Sequence, residues 1–479
     1  MTLPHGDLTA GATPATTEWR PFSADLVAGS SRHDITPPLE IRTANWGAHG
    51  RHEVATGVHQ PLTVTALALA DGSGSMHYVV STDLGWWRNT DDEQSVRAPV
   101  LEALGVDESQ LLLHLVHTHA GPCTTRSQHL EPGGALVDGY LRSVSDAVVA
   151  ACLEARAAAR PCRITWGAGA CALATVRDLP CGDSDVVGFN PDVAADDTVV
   201  VGRITDHDER TVATILNYAC HPTTLAWQNP LLSPDFVGPA RVLVETATSA
   251  PCLFLQGASG DLAPRDQYTG DLDVVERNGR ILGHAALSTL EAMPRPGHIM
   301  RFTGVVESGA SLGTWAQVPA LSPTSLGARL IRVPVPLQPL LSPEELTQRW
   351  SHLGDTPARE RVQRAMGLRK GYVENDAARH PVWIMEVGDA VIVAHPGEAY
   401  STMQTDLRRR HPGRCILVAN CTNGPGFMYL PERSAYERVR YQVWQTLLGA
   451  GALETVIDAV DAAIGELGEP EVPDAGEPR

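Results

Sequence analysis

The chain has 479 residues, 43% hydrophobic and 19% charged, an ordinary mixture for a folded globular protein and ample for a large core. Its formal net charge of −19 argues against nucleic acid and against anionic membrane surfaces, since both demand a basic face. The expected partner is a small-molecule substrate, and the oligomeric state is left open, with a homo-oligomer as one option.

Met1 to Thr17 is polar and lacks both the basic start and the apolar core of a signal peptide. Residues 1–28 are therefore expected to form a flexible segment, followed by one α/β domain over 29–465. An apolar run, Leu111 to Leu115, then leads into Val116-His117-Thr118-His119-Ala120-Gly121-Pro122. Apolar residues at helical spacing predict helices over Val144 to Arg160 and Val274 to Met293. Between them, Thr211 to Cys220 runs into His221-Pro222, and Pro251 to Gln256 runs into Gly257-Ala258-Ser259-Gly260-Asp261.

Ser342-Pro343-Glu344-Glu345 reads as a capping box with proline at the first helical position. Glu386-Val387-Gly388-Asp389-Ala390 resembles a hairpin turn, Ala390 to Ala394 runs into His395-Pro396-Gly397-Glu398, and Cys415 to Ala419 runs into Asn420-Cys421-Thr422-Asn423-Gly424. Arg408 to Arg410 is the densest basic cluster and falls at a helix end, where cations suit the negative end of the dipole. A last helical stripe comprises Leu453, Val456, Ile457, Val460, Ala463 and Ile464, and the Glu/Pro/Gly-rich tail 466–479 is expected to be disordered.

No stretch approaches the ~20 apolar residues of a membrane span. The nine cysteines lack zinc-ribbon spacing and several lie inside apolar runs, where a reduced thiol simply packs. A cytoplasmic, disulfide-free protein is expected.

The five apolar runs read as strands buried on both faces, each closed by polar, glycine or proline residues. In α/β sheets, ligands bind at the carboxyl ends of strands, so these tips are expected to converge. Strand alternation predicts that His117 and His119 emerge on one face. Neutral imidazole is a good zinc ligand, and a catalytic zinc site needs about three protein ligands with one position open. The alternative is two histidines satisfied by backbone carbonyls; His114 and His395 are read as structural.

Asp34-Ile35-Thr36-Pro37, His117-Thr118-His119-Ala120-Gly121-Pro122, His221-Pro222-Thr223, Gly260-Asp261-Leu262-Ala263-Pro264, Pro396-Gly397-Glu398 and Tyr429-Leu430-Pro431, followed by Ala435-Tyr436-Glu437 and Tyr441, occur in the order found in the neutral ceramidase family. The chain resembles that family from about Asp34 to the helix ending near Ile464. The resemblance implies an α/β catalytic domain of layered mixed β-sheets flanked by helices, with zinc amidase activity. It further implies that His117, His221, Glu398 and Tyr429 hold Zn2+, and that His119, Arg177 and Tyr441 lie beside the substrate carbonyl. In the family, Gly-Asp-x-Ser-Pro carries a serine where this chain has Ala263, and a β-sandwich domain follows the catalytic one. Those departures, with the unremarkable N-terminus, argue against ceramide itself as the substrate.

The expected chemistry is amide hydrolysis without that serine. Zinc lowers the pKa of water to ~7, His119 accepts or returns the proton, and Arg177 or Tyr441 donates to the oxyanion. Asp261 is expected to orient a histidine or bind a substrate amine. Arg177 is balanced between substrate contact and an ion pair with Asp178 or Asp183. Glu398 alone reads as an early-helix carboxylate, and Tyr429 and Tyr441 alone read as core aromatics. The competing readings are a non-hydrolytic acyl transfer or cyclisation at the same metal, and a ligand-binding homologue without catalysis. A barrel hydrolase is set aside, because no eightfold strand-helix rhythm is present.

Overall fold

The computed structural model describes residues 14–43, 45–46, 53–375, 377–426 and 428–468. Side chains along its central strands alternate between two faces with the period of two that a pleated backbone imposes. On Thr63–Ala70, Val64, Ala66 and Ala68 face one core while Leu67 and Leu69 face another. On Leu111–Leu115, Leu111 and Leu113 join the first core and Leu112 the second. Strands with two buried faces require covering layers on both sides.

An eight-stranded sheet runs in the order Cys252–Gln256, Thr211–Tyr218, Thr198–Asp206, Arg160–Ala170, Phe22–Asp34, Thr63–Ala70, Met76–Thr82, Leu111–Leu115. Only its two end pairs are parallel. A second sheet orders Leu326–Val335, Ala377–Val387, Ala390–Ala394 and Cys415–Ala419, again with a parallel end pair. The sheets share a core in which Leu67, Leu69 and Leu112 pack with Met385, Ile392 and Leu417. Leu112→Ala would open a cavity there at a cost of about 2–5 kcal/mol.

Helices Thr90–Leu104 and Val137–Ala157 cover one half of the large sheet, and Val237–Thr248 and Leu272–Ala292 the other. Thr402–Arg410 and Ala452–Gly465 cover the second sheet. The result is a four-layer α/β/β/α arrangement, the layered mixed-sheet class expected from the sequence. No described helix is long and apolar enough to cross a membrane. All nine cysteines are free.

Local signals explain several boundaries. The Ser342 hydroxyl accepts from the Glu345 amide at 3.2 Å while the Glu345 carboxylate accepts from the Ser342 amide at 2.6 Å, the reciprocal capping box read from sequence. Gly388 turns the hairpin between the second sheet's strands at φ 58°. The two predicted helices begin earlier than their apolar stripes. Asp271 caps one just before Leu272, and the other starts at Val137 because Val137, Tyr140 and Leu141 are already buried.

The flexible 1–28 segment is corrected over its described part. Glu18–Trp19 pairs with Met300 and Arg301, and Phe22–Asp34 is an interior strand of the large sheet with Ala24, Leu26 and Ala28 buried on alternate positions. Residues 1–13 lie outside the described residues. Of the tail, Glu466 pairs with Arg329 at 2.8 Å and the Gly468 carbonyl accepts from Arg414 at 2.6 Å; residues 469–479 lie outside the described residues.

Candidate metal centre

The three parallel strand pairs of the two large sheets end at one place, and their tips interlock. The Leu115 amide donates to the Cys421 carbonyl at 3.1 Å, the His395 amide to Ala419 at 3.0 Å and the Asn420 amide to Gln256 at 2.9 Å. Asn423 closes the edge of Leu111–Leu115 by accepting from the Leu113 amide at 2.9 Å and donating to the Leu111 carbonyl at 3.0 Å. His114 accepts from the Gln256 amide at 2.9 Å through Nε2 and meets the Thr422 hydroxyl at 3.1 Å through Nδ1. His395 contacts His380 at 3.2 Å. Both are internal fasteners of the fold.

Strand alternation does not carry the His117/His119 pair. The strand stops at Leu115 and His117 adopts φ 71°, a left-handed conformation uncommon for a side-chain-bearing residue. The turn nevertheless brings the two rings together, 5.1 Å between centroids and edge-on.

The Nε2 atoms of His117 and His221 lie 3.2 Å apart, and Glu398 Oε2 lies 3.4 Å from the first and 2.9 Å from the second. All three side chains are buried. His117 Nδ1 faces the Gly85 carbonyl at 3.2 Å, and His221 Nδ1 faces the carbonyls of Ser259 at 2.6 Å and Leu262 at 3.2 Å. These acceptors assign the protons to Nδ1 and turn both Nε2 lone pairs toward each other and toward a carboxylate. Three electron-rich atoms converging in a dry interior require a cation among them. Imidazoles oriented by backbone carbonyls and joined by a carboxylate are the donor set of a zinc site. The residues therefore fit a divalent metal. His117, His119 and His221 each offer a ligand nitrogen within 4.8 Å of the others.

Electrostatics agree with that demand. Burial disfavours a charged His117, but Cys421 and the Glu398 carboxylate outweigh it and raise the imidazole to about 10. Burial and the nearby Arg177 push His221 down to about 3. Burial would also raise Glu398, yet the two histidines hold it well below the usual carboxylate range. In the metal-free protein a proton on His117 is the cation of the cluster.

His119 differs from expectation. Both its ring nitrogens are buried without a hydrogen-bond partner. Burial, then the neighbouring His117 and His221, hold it well below the ordinary histidine range. It is thus neutral rather than titrating near neutral pH. Trp86 and Trp46 pack on it at 4.7 and 4.8 Å, and a small cleft lined by Trp46, Trp227 and Leu231 opens beside it.

Glu398 reaches the centre because Glu398–Ala399 pairs in parallel with Tyr429–Leu430, which sets Glu398 opposite Tyr429. It is a residue of this short bridge, not of a helix start. Burial and the Glu398 carboxylate push the Tyr429 phenol well above its ordinary range, against the pull of Arg177. Arg177 donates to the Tyr429 hydroxyl at 3.1 Å and to the Gly260 carbonyl at 2.7 Å, rather than pairing with Asp178 or Asp183. Tyr441 packs edge-on against Tyr429 at 5.7 Å.

Asp261 lies close by but touches no histidine. Its carboxylate accepts from the Ser401 amide and hydroxyl, both at 2.7 Å. Burial, with Ser401 opposing and Asp178 assisting, raises it to about 7. Asp178 is bound instead by Tyr400, Gln442 and Arg440.

Sequence reasoning missed Cys421, whose thiol lies 3.4 Å from His117 Nδ1, and the Trp46/Trp86/Trp227 cluster. The strand-tip position of Cys421 was the available signal. The tryptophans stand in loops with no periodicity to single them out.

Residues 26–264 match the family described as neutral/alkaline non-lysosomal ceramidase, N-terminal. Solved structures share the fold, two of them as follows. The crystal structure of neutral ceramidase from Pseudomonas aeruginosa superposes with a TM-score of 0.67 at 18% identity, covering 94% of this chain and 77% of that one. A ceramidase complexed with C2 gives 0.66 at 17%, covering 95% and 78%. No curated protein matches the sequence. With its family match spread over the strands that deliver His117 and His221, and its fold shared along nearly its whole length, the chain carries a neutral-ceramidase-like domain.

Proposed function

We propose that this protein is a zinc-dependent hydrolase that cleaves the C–N amide bond of a small soluble substrate, acting in the cytoplasm. The observation supporting it most directly is the convergence of His117 Nε2, His221 Nε2 and Glu398 Oε2 within 3.4 Å. These three would hold the metal, with Tyr429 as the fourth donor. A bound divalent ion supplies Lewis-acid polarisation of the carbonyl and makes a water nucleophilic at neutral pH.

The side chains divide the remaining work. His119, neutral and facing the tryptophan-lined cleft, accepts the proton released by attacking water and returns it to the departing amine. Tyr441 donates to the carbonyl oxygen as charge builds on it. Arg177, its guanidinium already occupied, acts by fixing Tyr429 and the Gly260 turn. Asp261 supports the Glu398-to-Ser401 segment through Ser401. Because Ala263 supplies no hydroxyl, water attacks directly.

Metal analysis of protein purified without added metal, followed by turnover of short N-acyl amines, tests this reading. Near-stoichiometric zinc and release of free amine are expected, with negligible cleavage of ceramide in detergent. A metal-free folded protein that releases no amine, or efficient ceramide cleavage, would overturn it.

A further inference from the structure

Tyr441 opens a helix of only five residues, Tyr441–Gln445. A helix this short does not hold itself together, so its surroundings decide where the phenol lies. The ring packs edge-on against Tyr429 at 5.7 Å and Trp444 at 5.2 Å. The chain on either side of it is gripped by charge. A hairpin of two strands, Asp178–Cys181 and Ser184–Val187, reaches this segment, and its Asp185 amide donates to the Val439 carbonyl at 2.9 Å. One carboxylate oxygen of Asp185 meets Arg438 Nε at 2.6 Å and the other meets Arg440 Nε at 2.5 Å. Arg438 also donates to the carbonyls of Gly182 at 2.8 Å and Ser184 at 3.2 Å. Asp178 accepts from Arg440 Nη1 at 3.2 Å and from the Gln442 side-chain amide at 2.7 Å.

These ion pairs differ from ordinary surface pairs. The side chains of Asp185 and Asp178 are only 2% and 8% exposed, while Arg438 and Arg440 keep 35% and 17%. A desolvated carboxylate is stable only when charge and hydrogen bonds meet both oxygens, and each of these two finds such partners on residues 438–442. The grip also joins the metal centre. Asp178 follows Arg177, whose guanidinium donates to the Tyr429 hydroxyl and to the Gly260 carbonyl, and Gln442 reaches the same carbonyl at 3.4 Å. Two consecutive residues thus fix Tyr429 and the flank of Tyr441.

We propose that Asp178 and Asp185 are positioning residues for Tyr441: through Arg438, Arg440 and Gln442 they clamp the segment that presents its phenol beside Tyr429. Neither carboxylate touches the metal ligands or the substrate carbonyl. The proposal rests on the hydrolase reading for the role of that phenol.

Turnover of N-hexanoylethanolamine by the zinc-loaded protein, together with limited trypsin digestion mapped by mass spectrometry, tests it. Asp185→Asn keeps the side chain's shape and removes its charge, and Arg440→Met removes the opposite end of the clamp. Each should lower kcat by about ten- to a hundredfold at nearly unchanged KM, retain zinc, and speed trypsin cleavage after Arg438. In a Tyr441→Phe background neither substitution should lower kcat further, because residues acting through one group are not additive. Losses that multiply in full in that background, or loss of zinc from both variants, would overturn the assignment. If the parent protein releases no amine, the hydrolase reading fails and the digestion still decides the clamp. Faster cleavage in both variants supports it, and cleavage at the parent's rate overturns it.

Discussion

His117 and His221, 104 positions apart in the chain, bring their Nε2 atoms to 3.2 Å while each Nδ1 faces a backbone carbonyl. Two imidazoles so oriented repel unless a cation joins them, and Glu398 supplies the negative charge that makes such a cation stable. The arrangement is built by chain geometry, since the turn at His117 and the Leu262 carbonyl under His221 hold the rings without help from a ligand.

Removing a donor should therefore cost metal far more than it costs fold. His117→Asn keeps a residue that tolerates the left-handed turn, and His221→Ala removes the partner ring. Each is expected to lower zinc affinity by at least about 100-fold, or ~2.7 kcal/mol, measured by metal content after dialysis against a graded chelator. Circular dichroism should stay close to that of the parent. Full zinc retention in both variants would refute the ligand set.

The fourth donor is decided by the same measurement. If Tyr429 ligates, Tyr429→Phe should weaken zinc binding and His119→Ala should not, whereas the opposite pattern would place His119 in the coordination shell. The Arg177 contact to the Tyr429 hydroxyl at 3.1 Å predicts that Arg177→Met weakens zinc only where Tyr429→Phe also does.

Metal also changes the pH dependence of stability. His117 is raised to about 10 in the metal-free protein, so its stabilising contribution is complete below pH 6.5 and is lost as pH rises toward 10. His221, lowered to about 3, contributes fully above pH 6.5 and loses that contribution as pH falls. Chelator-treated protein should lose melting temperature steadily from pH 7 to 9.5, and zinc-loaded protein much less. Parallel curves for the two forms would contradict the proton-for-metal exchange.

Much of this centre is legible in the sequence because strand tips are. Apolar runs ending in His221, Asp261, His395 and Asn420 are visible as buried strands closed by turn residues, and the sheets place them where a two-sided burial pattern requires. The approach of the Cys421 thiol to His117 is not visible, since it depends on two sheets stacking tip to tip. Nor is the role of Asp261 readable: a strand-tip carboxylate next to glycine looks like a ligand-binding group, but the Ser401 amide and hydroxyl occupy it. The turn at His117 broke the strand alternation used to pair it with His119. The N-terminal strand was hidden by a polar lead-in, although Ala24, Leu26 and Ala28 carry the period of two.

Asp261 offers a second titration. Its carboxyl is raised to about 7, so the stability it lends is present below its ordinary range and is lost as pH rises through 7. Asp261→Asn should therefore gain on the parent by on the order of 2 kcal/mol between pH 5 and 8, read from urea unfolding at several pH values. A pH-independent difference would show that Asp261 is ionised throughout.

Ala263 lies fully buried on Leu262–Pro264, paired with Ala174–Val176, and its carbonyl accepts from the Thr175 hydroxyl at 2.9 Å. The adjacent Leu262 carbonyl holds His221. A serine here would bury a hydroxyl beside a histidine support, at a cost of about 1–3 kcal/mol if it finds no partner. Ala263→Ser is thus expected to lower the melting temperature without raising amide turnover, because attack by water needs no group at this position. Mass spectrometry of rapidly quenched turnover should find no acylated side chain in either protein. An acyl adduct on the parent would establish a nucleophile elsewhere in the site, and a large gain in turnover for the serine variant would show that the hydroxyl, not the metal centre alone, limits the reaction.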